Sequence, residues 1–319
     1  MTTVIIHTEH PEPHIDTLKP RHPGVRFVPC DSYEGLAEAL RQEKPDVVFS
    51  TRFASTPSYP TNVILGPDGP GWISVGGSGV DHLGHWDTAK VTVTNSAGVA
   101  ATMMAEYTFG CLLHFSLDMA GLQNDKSAKR WTNRTVTPLR GKTILIVGLG
   151  KTGQAVAALA QSFGMTVLGT RSRPQPMKNV DQVHAADDLP GLLKNADAVV
   201  VCTPLLASTK GLVDAAAFEA MAPGTVLVDV SRGGVVVQSA LIDALKTGTI
   251  AGAGLDVFET EPLPAENPLW DMPNVILSPH CSSVFDGWEA DSILMFSDNL
   301  KQFIAGQPLN NIVDPDRGY

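Results

Sequence analysis

The sequence predicts an α/β chain built as two doubly wound parallel-sheet domains, and three observations carry that prediction. Short apolar, β-branched runs alternate with amphipathic helical stretches through most of the chain, the pattern of parallel strands joined by crossover helices. One run, at 144–147, breaks at a turn of the form G-x-G-x-x-G and passes into a small-residue helix expected over 151–163. At 319 residues the chain is long enough for two cores, and the alternation runs on both sides of the glycine turn. The last helix, expected over 287–305, is placed back on the N-terminal part. The first domain is therefore read as discontinuous, 1–98 and 286–319, with a second domain, 99–285, inserted in it.

Composition bounds the function. Hydrophobic residues make up 43% and charged residues 18%, the balance of a soluble globular protein. A net charge of −10 argues against nucleic acid or an anionic membrane surface as partner. No apolar run approaches a membrane span, the N-terminus has no signal-peptide plan, and Cys30, Cys111, Cys202 and Cys281 lie scattered without C-x-x-C spacing. The expectation is a cytoplasmic protein with reduced thiols and no metal site.

In order along the chain, strands are expected at 4–7, 25–28, 46–49, 72–75 and 91–94, with an amphipathic helix at 33–43. His7, His10 and His14 fall on a strand end and a Pro-rich loop without a companion acid at ligand spacing, and are read as surface histidines. Gly76, Gly77, Ser78 and Gly79 follow the fourth strand. Such a loop either turns backbone N–H groups into a cleft, where they hold a small carboxylate, or is a tight turn forced by sterics. Arg52, after the third strand, either lines the same cleft or is a solvated surface charge.

Residues 99–117 read as a helix apolar nearly all round, hence buried, at a domain or subunit interface. The polar stretch 123–140, with Trp131 in it, is an arm across to a partner subunit or a surface connection. The glycine turn comes next. Gly148 allows the tight turn, Gly150 lets a pyrophosphate approach the backbone, and Gly153 lets helix and strand pack closely, with Leu149, Lys151 and Thr152 between them. The helix N-terminus then offers free N–H groups and a positive dipole end to the phosphates. A dinucleotide site on a Rossmann-like domain is the reading.

The following strand, 165–170, ends where NAD-selecting acids usually stand, about 20 residues beyond the glycines. Here the residues are Arg171, Ser172 and Arg173 instead. Paired guanidiniums clamp a ribose 2′-phosphate, whereas an acid would repel it, so NADP(H) is preferred and NAD(H) remains possible; the bland alternative is a solvated basic turn. Further strands are expected at 198–202, 226–230, 250–256 and 274–277, with a helix at 238–246.

Ligands of doubly wound sheets bind past the carboxyl ends of strands, and three ionisable residues follow three such ends: Arg232, Glu261 and His280. Reduction of a ketone by a nicotinamide hydride needs a proton donor for the developing alkoxide, which suits a histidine. It needs a cation that polarises the carbonyl and grips a neighbouring carboxylate, which suits arginine. A carboxylate beside the histidine fixes its tautomer. Taken singly, Arg232 reads equally as a helix-start charge, Glu261 as a loop acid and His280 as a core histidine.

Four motifs now carry a resemblance: G-L-G-K-T-G at 148–153, L-V-D-V-S-R-G-G at 227–234, G-L-D-V-F-E-T-E-P-L at 254–263 and N-V-I-L-S-P-H at 274–280. In that order they resemble the D-isomer-specific 2-hydroxyacid dehydrogenases over essentially the full length. The resemblance implies Arg232 as the substrate-binding, carbonyl-polarising residue, His280 as acid/base and Glu261 as its partner. It implies that Asp256 and the Val230 carbonyl, beside Ser231, hold the nicotinamide carboxamide. Thr203 and Pro204 would lie along the cofactor, Met104 beside its nicotinamide end, and the amides of Gly77, Ser78 and Gly79 would take the substrate carboxylate. Members are usually homodimers built around the cofactor domains.

Arg171 resembles the NADPH-using glyoxylate and hydroxypyruvate reductases, while Ser278 departs from formate dehydrogenases, which place a Gln-containing pair before the histidine. No extra regulatory domain of the kind common in phosphoglycerate dehydrogenases is expected. The function implied is reduction of a small 2-keto acid to the D-2-hydroxy acid. The alternatives are an NAD-linked dehydrogenase acting oxidatively and a nucleotide-sensing protein like the corepressors that share the fold. Side-chain selection would involve Arg52, Phe53, Trp131, Phe285 and Trp288.

Overall fold

In the computed structural model, which describes residues 1–53 and 58–318, the chain divides into two compact units, Met1–Val99 with Phe285–Tyr319, and Ala100–Val284.

The first unit holds β1 (Thr3–His7), α1 (Pro11–Leu18), β2 (Arg26–Cys30), α2 (Tyr33–Glu43), β3 (Val47–Ser50), α3 (Thr61–Ile64), β4 (Trp72–Val75), β5 (Thr92–Asn95) and α10 (Trp288–Ile304). Its five strands are all parallel in the order β2-β1-β3-β4-β5. Side chains alternate across the pleat. Ile5, Val48, Ile73 and Val93 face one way onto Leu36 and Leu40 of α2. Val4, Ile6, Val47, Phe49 and Trp72 face the other way onto Leu18 of α1 and Ile293, Phe296 and Leu300 of α10. Each such burial removes an aliphatic or aromatic side chain from water, worth roughly 1.5–3 kcal/mol.

Two expectations fail in this unit. The Pro-rich stretch after β1 is a helix, with Pro11 in its first turn, where a missing N–H costs nothing. His7 and His14 are buried rather than on the surface. His7 Nδ1 pairs with Ser50 Oγ at 2.8 Å, and its ring packs 4.9 Å from that of Phe53; burial pushes its pKa down to about 4, so it sits neutral in the core.

The second unit holds α4 (Ala101–Ser116), α5 (Met119–Ser127), β6 (Thr143–Val147), α6 (Lys151–Ser162), β7 (Thr166–Thr170), β8 (Gln182–His184), α7 (Leu189–Leu193), β9 (Ala198–Val201), α8 (Ala215–Ala220), β10 (Val226–Asp229), α9 (Gln238–Thr247), β11 (Gly252–Leu255) and β12 (Val275–Leu277). Seven parallel strands run in the order β12-β11-β10-β9-β6-β7-β8. The order reverses between β6 and β9, and α4 and α6 cover one face through Phe109, Leu112, Val156 and Ala160. On the other face Leu193, Phe218, Leu241 and Leu245 pack from α7, α8 and α9.

The apolar helix at 99–117 is α4, and within this chain one of its sides is buried. In α4, Ala105, Thr108, Phe109, Cys111 and Leu112 are buried while Thr102, Glu106 and Gly110 face solvent. The stretch after it is α5 followed by an extended segment. Arg134 folds this segment back by pairing with Asp118 and with Asp125 at 2.7 Å, leaving Trp131 99% exposed. The short β8, α7 and α8 carry too little periodicity to have been expected.

Candidate active site

The glycine turn is built as its spacing requires. Gly148 has φ +105, a backbone open to glycine, and a Cβ there would lie 3.0 Å from Thr203 N. Its amide and that of Leu149 both donate to the carbonyl of Thr170, at 3.2 and 3.1 Å, which stitches the turn to the end of β7. At Gly153 a Cβ would fall 2.1 Å from the Gly148 carbonyl oxygen, so only glycine lets α6 start this close to β6. Nothing lies within 4 Å of a Cβ built on Gly150, and no side chain caps α6. An uncapped helix N-terminus with open space over its first glycine is the cradle a pyrophosphate fits.

Around this turn, Thr152 Oγ1 lies 3.5 Å from Met104 Sδ, and Cys202 Sγ donates to the Gly148 carbonyl at 3.1 Å. Lys151 is exposed, and Thr203 and Pro204 are half-buried beyond β9. Arg171 follows β7, its amide on the His184 carbonyl at 3.1 Å and its guanidinium 3.2 Å from Met177 Sδ; Ser172 and Arg173 beside it are exposed. Small glycines at the start of α6 and arginines just past β7 are thus the features this end of the sheet presents.

The three ionisable residues lie in this unit. His280 Nδ1 pairs with Glu261 Oε2 at 2.8 Å, and Glu261 Oε1 accepts from the Phe258 amide at 3.0 Å. Both side chains are about a third exposed, His280 39% and Glu261 35%. A carboxylate only accepts, so Nδ1 carries a hydrogen and Nε2 is the nitrogen left to exchange a proton with a ligand. Arg232 follows β10 and donates to the Ser231 carbonyl at 2.7 Å. Gly233, next to it, packs on the Phe258 carbonyl, whose own amide holds Glu261.

Asp256 is buried, and its Oδ1 accepts from Ser278 Oγ at 2.6 Å, Cys281 N at 2.8 Å and Ser282 N at 3.1 Å. One further bond, from Ser282 N, reaches Oδ2 at 3.1 Å, so most of the remaining acceptor capacity of the carboxylate lies on that oxygen. Val230 and Ser231 are buried beside it at the end of β10.

Sequence reasoning passed over Asp229. It closes β10, is buried, and accepts from Ser231 N at 3.0 Å and Ser231 Oγ at 2.5 Å. Its carboxyl is raised to about 7, chiefly by burial and further by Asp256, against the lowering by the Ser231 hydrogen bonds and Arg232. The available signal was an acid ending an otherwise apolar strand.

In the first unit, a Cβ on Gly76 would sit 2.6 Å from Thr51 Cγ2, so any larger residue there has to displace that side chain. The carbonyls of Gly76, Gly77 and Ser78 accept from Ser292 Oγ, Ser96 N and Asn95 Nδ2 at 2.9, 3.0 and 2.7 Å. With its carbonyls turned inward, the loop leaves the amides of Gly77, Ser78 and Gly79 without an acceptor among the described residues. Arg52 is exposed at the end of β3, and Phe53 is buried with its amide on Tyr33 Oη at 2.8 Å.

Residues 109–282 match the family described as D-isomer specific 2-hydroxyacid dehydrogenase, NAD binding domain. A glyoxylate reductase of Thermococcus litoralis is 32% identical over 251 residues, 75% of each chain. The structure of a D-isomer specific 2-hydroxyacid dehydrogenase from Xanthobacter autotrophicus Py2, in complex with NADPH and MES, superposes with TM-score 0.85 at 29% identity, covering 100% of this chain and 99% of that one. An NADPH-dependent glyoxylate/hydroxypyruvate reductase from Sinorhizobium meliloti, in complex with NADP and sulfate, gives TM-score 0.82 at 25% identity over the whole of both chains. With a glycine cradle, a Glu–His pair and an arginine at the strand ends of a seven-stranded parallel sheet, the chain belongs to the D-isomer-specific 2-hydroxyacid dehydrogenases, a family of nicotinamide-dependent oxidoreductases.

Proposed function

We propose that this chain is an NADPH-preferring reductase of small 2-keto acids that yields D-2-hydroxy acids. The observation that carries the reading is the 2.8 Å Glu261–His280 pair, which engages Nδ1 and supports Nε2, within the proposed cofactor unit, as the proton-delivering nitrogen. The reaction takes a 2-keto acid, NADPH and one proton to the 2-hydroxy acid and NADP⁺.

When bound, the nicotinamide supplies the hydride. The chain's own residues do the rest. His280 gives its Nε2 proton to the oxygen of the substrate carbonyl, and Glu261 holds the ring and stabilises the charge on it. Arg232 polarises that carbonyl and grips the neighbouring carboxylate. In the first unit, the amides of Gly77, Ser78 and Gly79 and the Arg52 side chain are assigned to carboxylate binding. Gly148, Gly150, Gly153 and the α6 N-terminus hold the pyrophosphate, Asp256 and the Val230 carbonyl the carboxamide. Arg171 and Arg173 hold the 2′-phosphate, supported by the NADPH and NADP seen in the two similar structures. In this proposal the first unit is the substrate domain and the second the cofactor domain of a cytoplasmic homodimer, with the exposed Trp131 on the segment that reaches the partner.

Purified protein with glyoxylate, hydroxypyruvate or a bulkier 2-keto acid, each with NADPH and NADH, tests the reading through loss of nicotinamide absorbance. Fast NADPH oxidation is the expected result. Faster turnover with NADH would overturn the assignment of Arg171 and Arg173. Tight nucleotide binding with no turnover would replace the reductase by a nucleotide-sensing protein.

A further inference from the structure

His280 stands at φ +52, a left-handed backbone that a non-glycine residue keeps only where its surroundings over-determine it. The loop around it is fixed from several directions. Ser278 N donates to the Leu255 carbonyl at 2.9 Å, carrying the sheet ladder one residue past β12, and His280 N donates to the Ser278 carbonyl at 3.0 Å. Ser278 Oγ, Cys281 N and Ser282 N then converge on Oδ1 of buried Asp256.

Ser278 has one hydroxyl hydrogen. A carboxylate can only accept, so at 2.6 Å that hydrogen goes to Asp256. The second partner of Ser278 Oγ, Tyr107 Oη at 2.7 Å, must therefore be the donor. Tyr107 sits on α4, and one turn further on Cys111 packs on Gly254, where a Cβ would lie 2.7 Å from its sulfur. That close approach of α4 to β11 sets how far the tyrosine reaches. Nothing in the reaction itself calls for Tyr107 or Ser278, yet both end on the loop that carries the proton donor.

We infer that Tyr107 and Ser278 are positioning residues for His280: a hydroxyl chain from Tyr107 through Ser278 to Asp256 holds loop 278–282 so that Nδ1 stays on Glu261 and Nε2 remains the proton-delivering nitrogen. The inference rests on the reading of His280 as proton donor.

The test measures kcat, KM for the 2-keto acid and NADPH affinity by fluorescence for Tyr107→Phe, Ser278→Ala, Ser278→Thr, the Tyr107→Phe/Ser278→Ala pair and His280→Ala. Misalignment of a reacting group costs turnover rather than binding, so Ser278→Ala should lose about 10- to 100-fold in kcat with KM and NADPH affinity within about twofold. Tyr107→Phe should lose about 3- to 10-fold, and the pair no more than Ser278→Ala alone, because the chain is already cut at the serine. Ser278→Thr keeps the hydroxyl and should restore kcat to within about twofold of the parent. Single substitutions with kcat near the parent, additive losses, or no rescue by threonine would each overturn the inference. Tyr107→Phe removes one oxygen and no packing, so it decides the matter alone if Ser278→Ala does not fold. Parental turnover by His280→Ala would sink the proton-donor reading itself; its collapse, with the other variants unaffected, would sink only the positioning chain.

Discussion

Replacing Gly233 by alanine puts a methyl group at the point where the loops carrying Arg232 and Glu261 touch. The Cβ would lie 1.8 Å from the Phe258 carbonyl oxygen, 2.4 Å from its carbon and 3.0 Å from Glu259 N. Every one of those atoms is backbone, so no side chain can swing aside; one strand-end loop must move by about 1 Å or more to reach ordinary contact. On one side of the clash is Arg232, on the other the turn whose Phe258 amide holds Glu261 at 3.0 Å, and through it His280. A displacement of about 1 Å at reacting groups costs on the order of 100-fold in turnover. Overpacking a dense interior costs roughly 1–3 kcal/mol, and for a unit of this size each kcal/mol lowers the melting temperature by about 2–4 °C. The glycine turn at 148–153 is not touched, so NADPH affinity should fall far less than turnover. Steady-state kinetics, NADPH fluorescence titration and a thermal melt report these three effects separately. Turnover within about threefold of the parent and an unchanged melt would show that the loops yield without cost and that the Gly233–Phe258 packing does not align the site.

The buried acid and the ribose turn give two further expectations. Asp229 has its pKa raised in the folded protein, to about 7 from 3.8, so its contribution to stability is present at low pH and drains away as pH rises through about 7. Asp229→Asn keeps an oxygen for the two Ser231 donors and cannot ionise; urea unfolding from about pH 4 to pH 8 should therefore show the variant gaining on the parent as pH rises, and a constant difference would refute the raised value. Arg171→Asp removes a guanidinium and adds a charge that repels a 2′-phosphate, so the ratio of kcat/KM for NADPH over NADH should fall by about 100-fold or more, and an unaltered ratio would refute the role of that turn.

Legibility in the sequence followed the range of the interactions. Residues 33–43 form a helix as expected because the signals are local: an apolar face and Ser32, whose hydroxyl accepts from Gly35 N at 3.3 Å. The glycine turn was legible because its spacing is a local signal and the demand at Gly153 comes from Gly148 and Ile146, although the demand at Gly148 comes from Cys202 and Thr203 past β9. His7 was misread because its partner, Ser50, is 43 residues away on β3, and nothing beside a histidine in sequence says that a hydroxyl will meet it in the core. Alternate apolar and polar residues were too few in β8, which is only Gln-Val-His, and its place at the sheet edge comes from pairing with β7.

The two acids that close β10 and β11 explain why the site was legible as a set of positions but not as a mechanism of assembly. V-L-V-D and G-A-G-L-D read as buried strands that each run into a carboxylate, and a carboxylate in an apolar sheet must gather donors. Asp229 gathers them from Ser231, the residue before Arg232. Asp256 gathers them from Ser278, Cys281 and Ser282, the residues that flank His280. Neighbouring strands tie the pair together, with Asp256 N on the Asp229 carbonyl at 3.1 Å. Each acid thus fixes one candidate-site loop to the sheet, and the sheet register fixes the loops to each other. An acid at the end of an apolar parallel strand is on this account a sign of the loop it anchors, and the donors to look for stand within a few residues of it or just past the neighbouring strand.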